Sequence, residues 1–539
     1  MRTQSWVAFG LFLLAAPASA APYDVAEKDI ATLQADMTAG RVTALELVQA
    51  YEARVARIDP MLHSVIALNP DAENQARALD QERHAGHVRG ALHGIPILVK
   101  DNIETLDPLA TTAGSLALKD NITHRDAPVI ARLRAAGVIV LGKTNLSEWA
   151  NIRSTHSISG WSAIGGLTRN PYVLDRNTCG SSAGSGAAVA ASLAAAALGT
   201  ETNGSLVCPG SFNGIVSLKP TVGLVSRTHI VPISHTQDTA GPMTRSVADA
   251  ALLLSAMAGS DPDDTATADA DAHRMDFAAP LRGALLKGVR LGLILSPPDH
   301  SPSTTDILLQ RAVDLMQAQG AQIVEIHDFR RPQNAGNEED TVLKYELKHD
   351  MAQYLQSLPQ NSTGNGPKTL ANLIAFDAVT PRELVLFDQD YFDMAEAKGD
   401  LTDPAYIQAH EDLRASTRAL LDQALTANHL DALIQATDDP AFRTDAVKGD
   451  SESGSDSFLS ATAGYPHLTV PMGQVAGLPV GISFMGTAWS EAKLLAIGAA
   501  FERAAQARKP PTFIPSLEST PDIAAALAPL PSSSEAVGH

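Results

Sequence analysis

Cysteine is almost absent from this 539-residue chain, which carries only Cys179 and Cys208. Two cysteines exclude a small fold stapled by disulfides, and they leave open whether the pair is bridged or stays as buried thiols. Positive charge is in deficit, with 40 Lys and Arg against 60 Asp and Glu and a net charge of −20. That balance argues against binding to nucleic acid or to an anionic membrane. No segment reaches the roughly 18 apolar residues that a transmembrane helix needs. The nearest, Ala187 to Leu198, is too short and too rich in alanine. Internal repeats are missing, and so is any Pro-, Ser- or Gly-rich linker within the body. Length alone would allow about three domains, but without a linker the expectation is one large α/β domain.

What is present begins with the first twenty residues, MRTQSWVAFGLFLLAAPASA. Arg2, the apolar stretch Trp6 to Ala16 and the small residues Ala18-Ser19-Ala20 are the parts of a secretory signal peptide. The apolar stretch is too short to serve as an anchor. The mature chain is expected to be exported, periplasmic or secreted, without stable membrane association. Residues 520–539, rich in Pro, Ala and Ser, read as a disordered tail, which leaves a body of 21–519.

Within that body, Ile30, Leu33 and Met37, then Leu45, Val48, Tyr51 and Val55, recur at helical spacing on either side of Gly40. Thr43 and Glu46 form a capping-box pattern at the start of the second helix. Short apolar runs bounded by Gly or Pro follow: GIPILVK (94–100), GVIVLGK (137–143), GVRLGLIL (288–295), LDALIQA (430–436), HLTVP (467–471) and PVGISFMG (479–486). They fit strands buried on both faces, and helical patterns such as Ala127 to Ala136 and Ser246 to Ala258 lie between them. A mixed central sheet surrounded by many helices is the expected architecture. Residues 296–425 are more polar and are expected to form a peripheral or cap lobe. Its long charged helix opens at Asp403-Pro404 and runs to about Ala427.

Chemistry concentrates in three places. Gly180-Ser181-Ser182-Ala183-Gly184 satisfies G-x-S-x-G, the turn that presents a nucleophilic serine in α/β-hydrolases. Twenty-four residues after Ser181, Asn203-Gly204-Ser205 forms a second tight serine setting, where glycine lets backbone N–H groups converge on one point. A helix-forming stretch from Gly186 to Leu198 would carry the chain away and a loop would return it. Third, Lys100 closes a buried apolar run, where desolvation favours the neutral amine and makes it a competent base. Lys143 occupies a comparable position, so placement alone does not choose between the two.

The stretch 175–227, DRNTCGSSAGSGAAVAASLAAAALGTETNGSLVCPGSFNGIVSLKPTVGLVSR, closely resembles the signature segment of the amidase signature family. Further landmarks agree: GIPILVKDNI around Lys100, TTAGS at 111–115, LGKTNLSEWA at 141–150, QDTAGPMTRSVADAA at 237–251 and AGYPHLTVPMG at 463–473. The resemblance covers roughly residues 25 to 510. It implies the amidase signature fold and a Ser-Ser-Lys triad: Ser205 as nucleophile, Ser181 as a bridging serine joined to Gly180 by a cis peptide bond, and Lys100 as base. It also implies an oxyanion hole built from the N–H groups of Thr202, Asn203, Gly204 and Ser205. The G-x-S-x-G match is then a decoy. The chain departs from the family pattern at Asn203, where Gly or, among peptide amidases, Asp is usual, and at Ala183 and Ser217. No triad group is lost.

CGSSAGSG, GTETNGS and VPISHTQDTAGPM are most similar to bacterial peptide amidases, which remove the C-terminal amide of peptides. The expected activity is therefore release of ammonia from a peptide amide or another small carboxamide, through an acyl-enzyme. No cofactor, metal or obligate partner subunit is implied. A broad aryl- or acyl-amide amidase is the nearest rival. More distant ones are an α/β-hydrolase esterase using Ser182 and His467, and a non-catalytic exported binding protein. Thr112, Trp161, Gly180 and Asp238 are candidate substrate-binding residues, although Trp161 could equally pack, and Asp101 and Asp238 could equally be structural caps. The HAGH loop at 84–87 lacks further ligands nearby in sequence. The acidic stretch 260–273 lacks the Gly and terminal Glu of a calcium loop and reads as a solvated turn.

Overall fold

In the computed structural model, which describes residues 23–295, 301–327, 329–359, 366–451 and 457–529, the helix Ala44–Leu62 opens on the capping box anticipated from Thr43 and Glu46. The segment read as a signal peptide lies outside the described residues. The preceding helix, Ile30–Thr38, buries Ile30, Leu33 and Met37 on one face.

The strands in chain order are β1 Val65–Leu68, β2 Pro96–Lys100, β3 Ile139–Thr144, β4 Trp161–Ser162, β5 Gly166–Leu167, β6 Ala196–Glu201 and β7 Val216–Lys219. They continue with β8 Thr239–Thr244, β9 Arg290–Ile294, β10 Gln322–Ile326, β11 Ala432–Ala436, β12 His467–Val475 and β13 Leu478–Met485. β4 and β5 pair only with each other. The other eleven form one mixed sheet in the order β1-β3-β2-β6-β8-β7-β12-β13-β11-β9-β10. β2 runs parallel to β3 and β6, and β9 runs parallel to β10 and β11. All six Gly- or Pro-bounded apolar runs are strands of this sheet. Every residue of β2, β3 and β6 is buried, as helices covering both faces require.

The pairing of β2 with β6 positions the functional region. Val99 lies opposite Leu198, so both strands end at the same edge, with Lys100 closing one and Thr200-Glu201 the other. The carboxyl ends of parallel strands are where open α/β sheets place their ligands.

The alanine-rich stretch behaves differently from expectation. Its helix covers only Ala183–Ala190; the chain turns at Ser192 in the left-handed region, and Ala196–Glu201 returns as β6. Alanine favours helix in isolation, but hydrogen bonds to β2 on one side and β8 on the other outweigh that preference. An eight-residue helix travels about 12 Å, and β6 brings the chain back.

The polar stretch 296–425 divides. The helix Thr304–Ala318 and β10 join the sheet edge, whereas Ala335–Ser357, Leu370–Ala378, Asp390–Glu396 and Pro404–Ala427 form the lobe. The last of these opens on the Asp403 side chain, with Pro404 in the first turn, as expected. Leu347, Met351, Leu370 and Phe392 give the lobe its own apolar cluster, which reaches Trp149 of the body. Two terminal and loop expectations change. Pro521–Leu527 is a short exposed helix, with 530–539 outside the described residues. His84 ends the helix Ala72–His84, its ring against the Asp80 carbonyl, so HAGH begins as a helix end.

Candidate active site

Lys100 is fully buried, and burial pushes its amine down to about 7 against the opposing pull of Asp238 and Glu201. Its Nζ lies 2.7 Å from Ser181 Oγ and 2.8 Å from Thr200 Oγ1. Asn102 Nδ2 donates to the same threonine hydroxyl at 3.0 Å. Lys143, equivalent in sequence position, is spent elsewhere. It donates to Thr111 Oγ1 at 2.8 Å and to the Ile103 carbonyl, and its charge faces Asp101 Oδ1 at 4.0 Å. Lys100 ends β2 and Lys143 is the last residue but one of the parallel neighbour β3, and of the two only Lys100 meets a serine.

Ser181 is buried behind a cis Gly180–Ser181 peptide bond. Gly180 lines a cavity of about 490 Å³ that also meets Asn203, Gly204, Ser205, Phe442 and Asp450. A Cβ on Gly180 would fall 2.1 Å from Ser147 Oγ, so only glycine fits there. The Ser182 N–H donates to the Ser205 carbonyl at 3.2 Å, which holds the two serine segments side by side.

Ser205 sits in the turn between β6 and the helix Val207–Phe212. Glu201 Oε2 accepts from the N–H groups of Leu206, at 2.7 Å, and Val207, at 3.1 Å, and so pins the far end of the turn. Gly204 takes φ +83°, which glycine adopts without steric cost. The N–H groups of Thr202, Asn203, Gly204 and Ser205 have no acceptor among the described residues, and all four residues line the cavity. A run of unpaired donors beside a hydroxyl is suited to receive negative charge developing on a substrate oxygen. Cys179 and Cys208, whose pairing the sequence left open, form a disulfide with Cα atoms 5.9 Å apart, and both line the same cavity.

The Amidase family model matches residues 46–495. The chain belongs to the amidase family. It is similar to the peptide amidase of Stenotrophomonas maltophilia, with 48% identity, a TM-score of 0.85, and 90% of this chain and 99% of that one covered. It is also 37% identical over 506 residues to a probable amidase of Arabidopsis thaliana, covering 91% of this chain and 93% of the plant protein. A bacterial aryl acylamidase aligns at 22% identity, a TM-score of 0.73, and 89% and 96% coverage, a likeness of fold alone. The amidase is thus an amide-hydrolysing enzyme with the architecture of peptide amidase.

The amidase uses its remaining candidates in several ways. Trp161 packs: its ring meets Phe387 edge-on at 5.3 Å and lies apart from the Ser205 cavity lining. Thr112 stands behind the site, its N–H and hydroxyl both donating to Asp101, whose carboxyl burial raises to about 6. Asp238 accepts from the Thr202 hydroxyl and from the N–H groups of Ile233 and Ser234, which buttresses the Thr202–Ser205 turn from the other side. It faces a second cavity of about 400 Å³. His467, the rival base, is buried in β12 between Ser460 and Ser483, and burial pushes it down to about 3. The acidic stretch 260–273 is more than a solvated turn, because buried Asp264 pairs with Arg227 at 2.6 Å. His235, His349 and Asp350 bring their donor atoms within 4.8 Å of one another, and both imidazoles are occupied by hydrogen bonds to Asp350. Sequence reasoning missed Thr200 and Glu201. The only signal was their place directly before the glycine-serine turn.

Proposed function

We propose that this amidase hydrolyses the C-terminal carboxamide of peptides, with Ser205 as nucleophile, Ser181 as proton bridge and Lys100 as base. The observation that carries the reading is the 2.7 Å contact of Lys100 Nζ with Ser181 Oγ, next to a turn that presents Ser205 to a cavity. The Ser205 hydroxyl turns to Ser181 Oγ and gives up its proton as its oxygen bonds to the carboxamide carbon. Ser181 passes its own proton to Lys100. A serine hydroxyl needs such a base to become nucleophilic. The oxyanion takes the N–H groups of Thr202 to Ser205, worth roughly 3 kcal/mol per donor. Collapse breaks the C–N bond, and the relay run backwards protonates the nitrogen, which leaves as ammonia. Water then attacks the ester through the same relay and releases the carboxylic acid and free Ser205.

The 48% identity to a peptide amidase supports a peptide amide over an aryl amide, where the likeness is one of fold. Export to an oxidising compartment is supported by the first twenty residues and by the Cys179–Cys208 bridge. The test is ammonia release from a C-terminally amidated dipeptide and from benzamide. Faster turnover of the dipeptide amide is expected; turnover of benzamide alone would keep the chemistry and overturn the substrate.

A further inference from the structure

The side chain of Asn203, the residue that departs from the family pattern, is held from two directions. Its Oδ1 accepts from Ser457 Oγ at 2.6 Å, ahead of the helix Phe458–Ala463. Its Nδ2 donates to Glu339 Oε1 at 2.7 Å, in the first turns of the lobe helix Ala335–Ser357. The same carboxylate oxygen accepts from Gln237 Nε2 at 3.0 Å, and that amide also reaches the Thr202 carbonyl at 3.4 Å. Glu339 and Gln237 are both buried. One carboxylate oxygen from the lobe therefore ties down two successive residues of the turn, Thr202 through Gln237 and Asn203 directly.

We propose that Glu339 is a positioning residue for the oxyanion turn, fixing through Asn203 and Gln237 the direction in which the N–H groups of Thr202 to Ser205 point. The proposal rests on reading Ser205 as nucleophile and that turn as the oxyanion hole. Glu201 secures the turn only at its far end, through Leu206 and Val207. The Cys208 N–H holds the Gly204 carbonyl at 2.9 Å and Asp238 holds the Thr202 hydroxyl, which leaves the Asn203 side chain and the Thr202 carbonyl to the Glu339 network; the four N–H groups themselves lack acceptors among the described residues. Donors aimed a fraction of an ångström away from the developing charge lose much of their value. Glu339 is thereby coupled to catalysis without itself lining the Ser205 cavity. The pair also explains why an amide is accommodated at 203: an aspartate there would set its carboxylate against that of Glu339 at hydrogen-bond distance. The charged or titratable groups around Glu339 are Arg331 ahead of its helix, Asp340 beside it and Tyr391 on the helix Asp390–Glu396.

The experiment is a charge exchange on the full-length enzyme, read as kcat, KM and melting temperature, with Ser205→Ala in parallel. Glu339→Ala is expected to lower kcat about tenfold or more with little change in KM. Asn203→Asp alone is expected to lower kcat similarly at pH 8 and to recover relative to wild type as pH falls and the two carboxyls come to share a proton. Asn203→Asp combined with Glu339→Gln restores a carboxylate–amide pair between positions 203 and 339, at the expense of the Gln237 bond to that oxygen, and is expected to regain part of the kcat lost in Asn203→Asp. A double variant no better than Asn203→Asp alone, or Glu339→Ala with wild-type kcat, would overturn the proposal. Activity surviving in Ser205→Ala would instead overturn the reading beneath it.

Discussion

Ser182 and Thr200 hold each other twice: the Ser182 hydroxyl donates to the Thr200 carbonyl at 3.0 Å and accepts from the Thr200 N–H at 3.2 Å. A hydroxyl whose proton is committed to a main-chain carbonyl has no base to activate it. The second serine of the G-x-S-x-G match is therefore a clamp between the helix Ala183–Ala190 and β6.

Ser182→Ala is accordingly expected to keep ammonia release within about tenfold of wild type. It should cost about 1–3 kcal/mol of stability, because the Thr200 N–H is left unpaired in the interior. Ser205→Ala is expected to lose activity by a factor on the order of 10⁴ or more. Steady-state rates and denaturant melts of the two variants check both halves, and the reverse ranking would revive the elbow reading.

The pH profile follows from Lys100, whose amine burial pushes down to about 7. The base must be neutral, so kcat/KM is expected to rise with pH through about 7 and then level off. The stability effect has a definite sign. Between about 7 and the ordinary lysine value near 10.5 the unfolded chain binds a proton at Lys100 that the folded one does not, so the Lys100 contribution to stability rises with pH across that window and is flat below it. Lys100→Met should abolish turnover and flatten that part of the stability curve. A profile level from pH 5 to 9 would remove Lys100 from the role of base.

The Cys179–Cys208 bridge encloses a sequence separation of 29 residues and joins the segment before Ser181 to the helix after Ser205. Closing a loop of that size is worth roughly 3–4 kcal/mol in the unfolded ensemble. Reduction, or paired Cys→Ser substitution, is expected to lower the melting temperature and reduce the rate together. An unchanged rate after complete reduction would show that the two serine segments hold their geometry without it.

Trp161→Ala is expected to cost about 3–5 kcal/mol of stability, the toll of emptying a buried aromatic site, with KM for a dipeptide amide unchanged. Its ring touches Phe387 and lies over the Arg153 guanidinium, away from the Ser205 cavity. A raised KM at full stability would make Trp161 a substrate contact after all.

Some of this molecule is written in short stretches. Capping at Thr43 and Glu46, the start of the long helix at Asp403-Pro404, and the six apolar strands depend on residues adjacent in sequence, where hydrogen-bond geometry and burial act locally. The stretch around Lys100, Ser181 and Ser205 was legible for the same reason, as an ordered series of short motifs.

Other features depend on what the chain meets across the fold. The alanines of 196–198 become strand because β2 and β8 offer hydrogen bonds on either side, which outweigh a helix preference of a few tenths of a kcal/mol per residue. Lys100 and Lys143 are alike in sequence, and only the placement of Ser181 beside one and Asp101 beside the other separates them. The cysteines met because Ser182 and Ser205 lie side by side, and Glu339 reaches Asn203 across 136 positions of chain. The sequence by itself determined the family and where regular structure begins. The tertiary structure decided which lysine meets Ser181 and what holds the turn, because desolvation and long-range hydrogen bonds exist only once distant segments are packed together.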